Sequence, residues 1–172
     1  MSDAERPRLV QLHDYDPQWP AMFERERDVI VAALGDVAVQ VDHTGSTSVP
    51  GLAAKPIIDI VLEVPDTADE PAYVPDMEAA GYELRIREPD WFEHRLLKGA
   101  DPAVNLHVFS LGCPEAEAMV AFRDHLRANP ADRELYERTK RELERLKRIA
   151  KAEGVWEDTR FRDEIAKLEV EV

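Results

Sequence analysis

One stretch, His43 to Val64 (HTGSTSVPGLAAKPIIDIVLEV), limits the possible folds more than any other. It opens with a loop of glycine and hydroxyl residues, His43 to Ser48. Val49 to Ala54 is short and made of small residues, and Pro50-Gly51 restricts any helix there to a few residues. Lys55 follows, and then an apolar run from Pro56 to Val64 that carries Asp59 inside it. A strand buried on at least one face does not hold an aspartate without a use for it, because an unpaired buried charge costs several kcal/mol. Glycine N–H groups and hydroxyls ahead of a helical turn attract anions. The stretch therefore brings a phosphate-sized anion and a carboxylate near one another.

Period two sorts the strand. Ile58, Ile60, Leu62 and Val64 share one face, while Ile57, Asp59, Val61 and Glu63 share the other, which is half-open. Two carboxylates spaced two residues apart lie about 7 Å apart at their backbones and can converge on one metal ion. Here the second position is Val61. Glu63 lies about 13 Å from Asp59 along the strand, too far to share an ion directly.

The rest of the chain reads as follows. Leu9 to Leu12 is an expected edge strand. Asp16 is an expected N-cap with Pro17 in the first helical position, and Trp19, Met22, Phe23, Ile30, Ala33 and Leu34 recur at helical spacing up to Gly35. Trp19 and Phe23 are core candidates. Val37 to Asp42 alternates as a strand that delivers the loop. Residues 65–71 form a Pro- and acid-rich loop, and Pro75 to Ala80 is a short helix stopped by Gly81. Tyr82 to Arg87, Trp91 to Lys98 and Val104 to Ser110 are strands of an antiparallel meander, with turn signals at Pro89-Asp90 and Gly99-Ala100-Asp101-Pro102. Asn105, His107 and Phe109 share a face. Pro114 to Asn129 is helical, with Ala118, Phe122 and Leu126 as its stripe. Asp132 is the expected cap of a further helix that buries Leu135, Tyr136, Leu143, Leu146 and Ile149, with Lys140 at its edge. Gly154 breaks that helix, and Trp156 to Leu168 is the last one.

Several segments resemble the GrpB family (also called UPF0157), a small family of the nucleotidyltransferase, polymerase-β-like superfamily. Asp42 to Leu52 running into Lys55-Pro56-Ile57-Ile58-Asp59 is its most specific part. Tyr15 to Pro20, Gly81-Tyr82, His94 to Lys98, Asn105 to Phe109, Phe122 to Arg127 and the Tyr136/Lys140 pair are similar to the family as well, so the likeness runs from about Leu12 to Arg160. It implies an α/β (α+β) fold: one nucleotidyltransferase-like domain with a small mixed sheet flanked by helices, its core over about 9–128, and a C-terminal helical pair over about 132–168. The departures are Val61, where the wider superfamily has a second carboxylate, and Asn105, in the place of the family's first histidine.

The resemblance also implies a site. Gly45, Ser46 and Thr47 would hold the phosphates of an NTP, and Asp59 would bind Mg²⁺. Lys55, Arg95, Lys98 and Lys140 would add positive charge. His107 would act as ligand or base, or instead be satisfied by a neighbouring carbonyl. Arg123 would reach a phosphate as a bidentate donor or pair with an acid on a neighbouring element. The expected activity is Mg²⁺-dependent transfer of a nucleoside monophosphate to a small molecule. The alternatives are a non-catalytic nucleotide- or anion-binding accessory module, as in GrpB-like domains fused to dephospho-CoA kinases, and another phosphate- or acyl-transfer reaction in the same pocket.

Charge narrows the partners. The formal net charge is −14, from 22 basic and 36 acidic residues. That argues against nucleic-acid binding, which needs clustered Lys and Arg, and leaves room for a small nucleotide met by a few local bases. No run of about 18 apolar residues predicts a membrane span. Cys113 is the only cysteine, so no intramolecular disulfide is possible. A polar opening segment, MSDAERPRL, completes an expectation of a cytoplasmic protein.

Overall fold

Strand β2 (Ile58–Val64) is the centre of the molecule: Ile58, Ile60, Leu62 and Val64 make one face wholly apolar, and the other face sets a buried Val61 between Asp59 and Glu63. Such a near-continuous run is what a strand needs when it is covered on both sides. The computed structural model describes residues 11–154 together with Trp156, Asp158, Thr159 and Arg162. In it β2 lies between β1 (Gln40–Thr44) and β5 (Val104–Ser110), and the sheet continues through β4 (His94–Gly99) to β3 (Glu83–Glu88). The β2–β5 pair is parallel and all the others are antiparallel, so the sheet is mixed. The expected meander is β3–β4–β5.

One face of the sheet packs on α1 (Trp19–Leu34) and α2 (Val74–Ala79). Ile58, Ile60, Leu62 and Val64 of β2 join Leu106 and Val108 of β5, Leu97 of β4, Trp19, Phe23 and Ile30 of α1 and Met77 of α2 in one core cluster. Each of those aliphatic side chains contributes about 1.5–3 kcal/mol when fully buried. The other face is partly covered by α3 (Pro114–Ala128), and α4 (Pro130–Ala152) packs beside α3. Val61 and Phe109 meet Cys113 and Ala116 there. The segment after the Gly-Ser loop, through Val49 and Leu52, packs against Leu126 of α3 and Tyr136 of α4.

Several expected boundaries shift. Helix α1 begins at Trp19, not Pro17. Asp16 instead forms a turn, its carboxylate accepting the Gln18 N–H at 2.8 Å and its carbonyl the Trp19 N–H at 3.1 Å. β1 begins at Gln40 because Gly35–Val37 winds into a 3₁₀ turn entered at Gly35, with φ +53°. Helix α4 begins at Pro130 after Asn129, and Asp132 pairs with His125 at 2.7 Å rather than capping.

The buried stripes of the last two helices also differ from expectation. α3 turns Ala116, Met119, Arg123 and Leu126 inward and leaves Phe122 exposed. α4 turns Tyr136, Lys140, Leu143, Lys147 and Ala150 inward and leaves Leu135, Leu146 and Ile149 exposed. Both rotations turn long polar side chains inward, where their methylene stems pack and their heads find partners. Leu9 and Val10, Arg160 and most of Trp156 to Leu168 lie outside the described residues. His13 makes an isolated antiparallel bridge to Ala54. Among the described residues no helix is long and apolar enough to cross a membrane.

Candidate functional site

The Gly-Ser loop leaves the end of β1 and turns at Gly45, which has φ +66°. A side chain at this position would be strained in any case. It would also collide with the central carboxylate, because a Cβ there would lie 2.4 Å from Oδ2 of Asp59. Gly45 is therefore what lets the loop backbone close over Asp59. Ser46–Ser48 then forms a short 3₁₀ turn. The Arg127 guanidinium of α3 holds this turn from outside, donating to the Ser48 carbonyl at 2.7 and 3.0 Å.

The side chains of the loop divide into two roles. Thr47 is buried, and its hydroxyl donates to the Ile57 carbonyl at 3.2 Å, so its single proton is used. Nε2 of His43, 3.0 Å away, must then be the donor in their contact. Burial, and secondarily the charges of Arg127 and Arg123, push His43 down to about 4, so its ring is neutral, stacked on Phe23. Thr47 and His43 thus brace the loop. Ser46 faces the cavity, and Lys140 of α4 reaches across to it, with Nζ 2.5 Å from Ser46 Oγ and 3.1 Å from the Ala53 carbonyl. The same ammonium lies over the Tyr136 ring, 5.3 Å from its centre.

Ser46, Thr47, Lys55, Asp59, Asn105, Tyr136 and Lys140 line one cavity of about 220 Å³. Asp59 sits at its floor, with Oδ1 accepting from Asn105 Nδ2 at 2.8 Å. Burial is the main cause that raises Asp59 to about 6, opposed by the Asn105 bond and the charges of Lys140 and Lys98. Burial also lowers Lys140 to about 8, helped by the charge of Lys55. Asp59 and Lys140 are both charged between those values. Lys55 lies at the rim, half-exposed, with its ammonium 3.5 Å from Glu144.

Across the sheet, Asp59 is in register with Asn105, and Asn105 with Lys98. Lys98 is exposed on the same face. His107 is one step further along, its Nε2 4.0 Å from Asp59 Oδ1. Burial, then the charges of His94 and Lys98, lower His107 to about 4, so it is a neutral base beside the carboxylate.

Two expected members are elsewhere. Arg95 pairs in register with Val108 and so faces α2, opposite to Lys98. It is buried, held by Glu70 at 2.7 Å and Glu93 at 3.0 Å, and does not join the site. Arg123 adjoins the site without entering the main cavity. It donates to Asp42 at 3.1 Å and to the His43 carbonyl at 2.9 Å, bracing the end of β1, and lines a smaller pocket with Gly45, Ser46 and Tyr136.

Asn105, Tyr136 and Arg127 are site residues that the sequence reading does not single out, although all three stand in GrpB-like segments. The remaining question is whether Mg²⁺ fits. Among the described residues no group of three or more His, Cys, Asp or Glu gathers as a metal site. Val61 is fully buried against Phe109 and Cys113, so its position holds no carboxylate and no open space for one. The donor set, one carboxylate, suits a Mg²⁺ that arrives on phosphate and keeps its waters, which is the usual way that ion is held. It does not suit a two-metal centre.

Comparison with known proteins is consistent with these features. The family profile described as GrpB protein matches residues 9–161. A UPF0157 protein of Halalkalibacterium halodurans is 61% identical over 134 residues, 78% of this chain and 69% of that protein. One from Streptomyces coelicolor is 49% identical over 134 residues, covering 78% and 70%. A dephospho-CoA kinase of Mycolicibacterium paratuberculosis is 33% identical over 161 residues, 78% of this chain but 40% of the kinase. The crystal structure of conserved protein GrpB from Enterococcus faecalis superimposes with a TM-score of 0.68 at 32% identity, covering 94% of this chain and 96% of that one.

Proposed function

The chain belongs to the GrpB family, and from that membership we propose that it binds a nucleoside triphosphate through its phosphates and transfers the nucleoside monophosphate to a small molecule. The observation that carries this reading is the convergence of Ser46, Lys140 and Asp59 on one cavity, with the Lys140 ammonium 2.5 Å from the Ser46 hydroxyl. A cation and a hydroxyl at the start of a short helical turn are a phosphate-binding pair. Lys55 at the rim adds charge where the terminal phosphates would lie.

The residues divide the work in this reading. Ser46, the loop backbone after Gly45 and Lys140 bind and orient the phosphates. Asp59 would hold a single Mg²⁺ accompanying them, and Asn105 fixes the carboxylate. Such an ion would supply neutralisation of the negative charge on the phosphates. His107, neutral and on the same face, takes the proton of the attacking group. Lys98 supplies positive potential from the open edge.

A second reading, a non-catalytic anion- or nucleotide-binding module, is favoured by Val61, which leaves one carboxylate where a two-metal mechanism needs more. The likeness of this chain to part of a longer dephospho-CoA kinase also fits an accessory role.

Thermal unfolding with each of the four NTPs, with and without Mg²⁺, separates the two. Nucleotidyl transfer predicts a Mg²⁺-dependent rise in Tm for the wild type that Asp59→Asn loses, and a rise lost with or without Mg²⁺ in Lys140→Met. A ligand at 100 times its Kd stabilises by about 2.7 kcal/mol, a readable shift. A rise that ignores both Mg²⁺ and Asp59→Asn favours the binding module. No rise with any NTP overturns the nucleotide reading.

A further inference from the structure

We infer that the small cavity adjoining the main one across Ser46 and Tyr136 is a subsite for the nucleobase, which seats an aromatic ring of the base against Phe122. The inference deepens the proposed function and rests on the phosphates lying at Ser46 and Lys140. It assigns the ligand a class: a nucleotide recognised through its base, not a bare polyphosphate.

Position carries the argument. Ser46 and Tyr136 line both the cavity that holds Asp59 and a second one of about 130 Å³, whose other walls include Val49, Met119, Phe122 and Leu126. Tyr136 is the partition. The Lys140 ammonium lies over its ring, 5.3 Å from the centre, and Phe122 meets it edge-on, with ring centres 5.3 Å apart. A phosphate held by Ser46 and Lys140 therefore leaves the rest of its ligand beside the second cavity. The walls there are mostly hydrocarbon, and an apolar cavity of about 150 Å³ holds one benzene, so this one has room for about one aromatic ring. Arg123 also lines it, but its guanidinium is already given to Asp124, Asp42 and the His43 carbonyl. That leaves a fixed flat edge and no free cation for a further phosphate. A planar ring with apolar faces suits such a pocket, and in a nucleotide that part is the base.

Phe122 supplies an independent observation. Helical spacing puts it in the expected stripe of α3 with Leu126, yet Phe122 is 48% exposed and Leu126 3%. A single exposed apolar side chain is ordinary. This one stands in the wall of a cavity next to a phosphate-binding pair, with its ring set at 82° to that of Tyr136. A half-open aromatic ring in that place stacks on a base, and stacking of this kind tolerates every base because each has a π-face. The subsite therefore adds affinity for a nucleotide without choosing strongly among the four NTPs.

Calorimetric titration in Mg²⁺ tests this by comparing each of the four NTPs with inorganic tripolyphosphate on the full chain. The wild type is expected to bind an NTP about tenfold more tightly than tripolyphosphate. Phe122→Ala should lose most of that preference and bind tripolyphosphate as the wild type does, whereas Phe122→Tyr keeps a ring and should keep the preference. Both changes are at a half-exposed position, so the fold is spared. Base protons of the bound NTP should also show NOEs to the Met119 methyl group, and NOEs to Leu143 in their place would put the base in the main cavity and overturn the inference. An NTP affinity unchanged in Phe122→Ala overturns it and leaves the proposed function standing. An equal loss for NTP and tripolyphosphate also overturns it, because Phe122 would then act on the phosphates through Tyr136. So does a wild type that holds tripolyphosphate as tightly as every NTP. Binding of none of these probes removes the proposed function and the subsite together.

Discussion

Asp59 shows how burial and use conflict in a single side chain. Its carboxyl titrates near 6 in the folded protein against 3.8 for a free aspartate, chiefly because of burial. The folded state therefore binds the proton more tightly than the unfolded state. Stability from this group is complete below about pH 3.8 and is lost as pH rises through about 6. Asp59→Asn removes that loss, and its amide oxygen can still accept from Asn105. The variant is expected to be more stable than the wild type by about 3 kcal/mol at pH 7.5, with the gap closing towards pH 4. Urea unfolding of both proteins at several pH values checks this, and a gap independent of pH would contradict it. A gain in stability on removing a carboxylate is what a residue kept for binding, not for folding, should show. The aspartate was legible because a charge inside an apolar run stands out. Its close approach to Gly45 was not, because no spacing rule predicts that two separate segments pass so near that an added Cβ would lie 2.4 Å from the carboxylate.

At the scale of elements, α4 separates pattern from partner. Leucines at positions 135, 143 and 146 all read as buried, yet only Leu143 is, while Leu146 is 46% exposed. Leu143→Ala is expected to cost about 2–3 kcal/mol and Leu146→Ala less than about 1 kcal/mol, measured by chemical denaturation. Similar losses in the two would mean that α4 packs by the face its leucines suggest. The physical reason for the difference is that α4 meets the loop and α3 through Tyr136, Lys140 and Leu143, and a lysine needed at Ser46 rotates the apolar residues beside it outward. Strand β4 makes the converse point. Period two alone puts Arg95 and Lys98 on opposite faces, so one of them had to leave the site, and it is Arg95 that is held by Glu70.

For the whole molecule, the site spans two parts of the structure. The loop and Asp59 belong to the sheet, and Lys140 belongs to α4, with Ser46 and Lys140 94 residues apart in the chain. A ligand held between them should tie the parts together. Addition of Mg²⁺ and the NTP that raises Tm is expected to slow amide hydrogen exchange in both 45–48 and 136–147. Protection of the loop alone would mean that Lys140 does not hold the ligand.

What the sequence determined by itself was local. The apolar alternation of β2, the meander of β3, β4 and β5, the glycine stop after α1 and the GrpB-like string all follow from the order of residues within short windows. Such features depend on backbone sterics and side-chain period, which neighbours along the chain are enough to set. Tertiary structure alone decided which faces of α3 and α4 turn inward, that Arg95 serves the fold and not the cavity, that the Thr47 hydroxyl is spent on the Ile57 carbonyl, and that His94 stands behind His107. These are pairings between residues far apart in the chain. Their outcome depends on which desolvated polar group finds a partner in three dimensions, and no single window of the sequence contains both members.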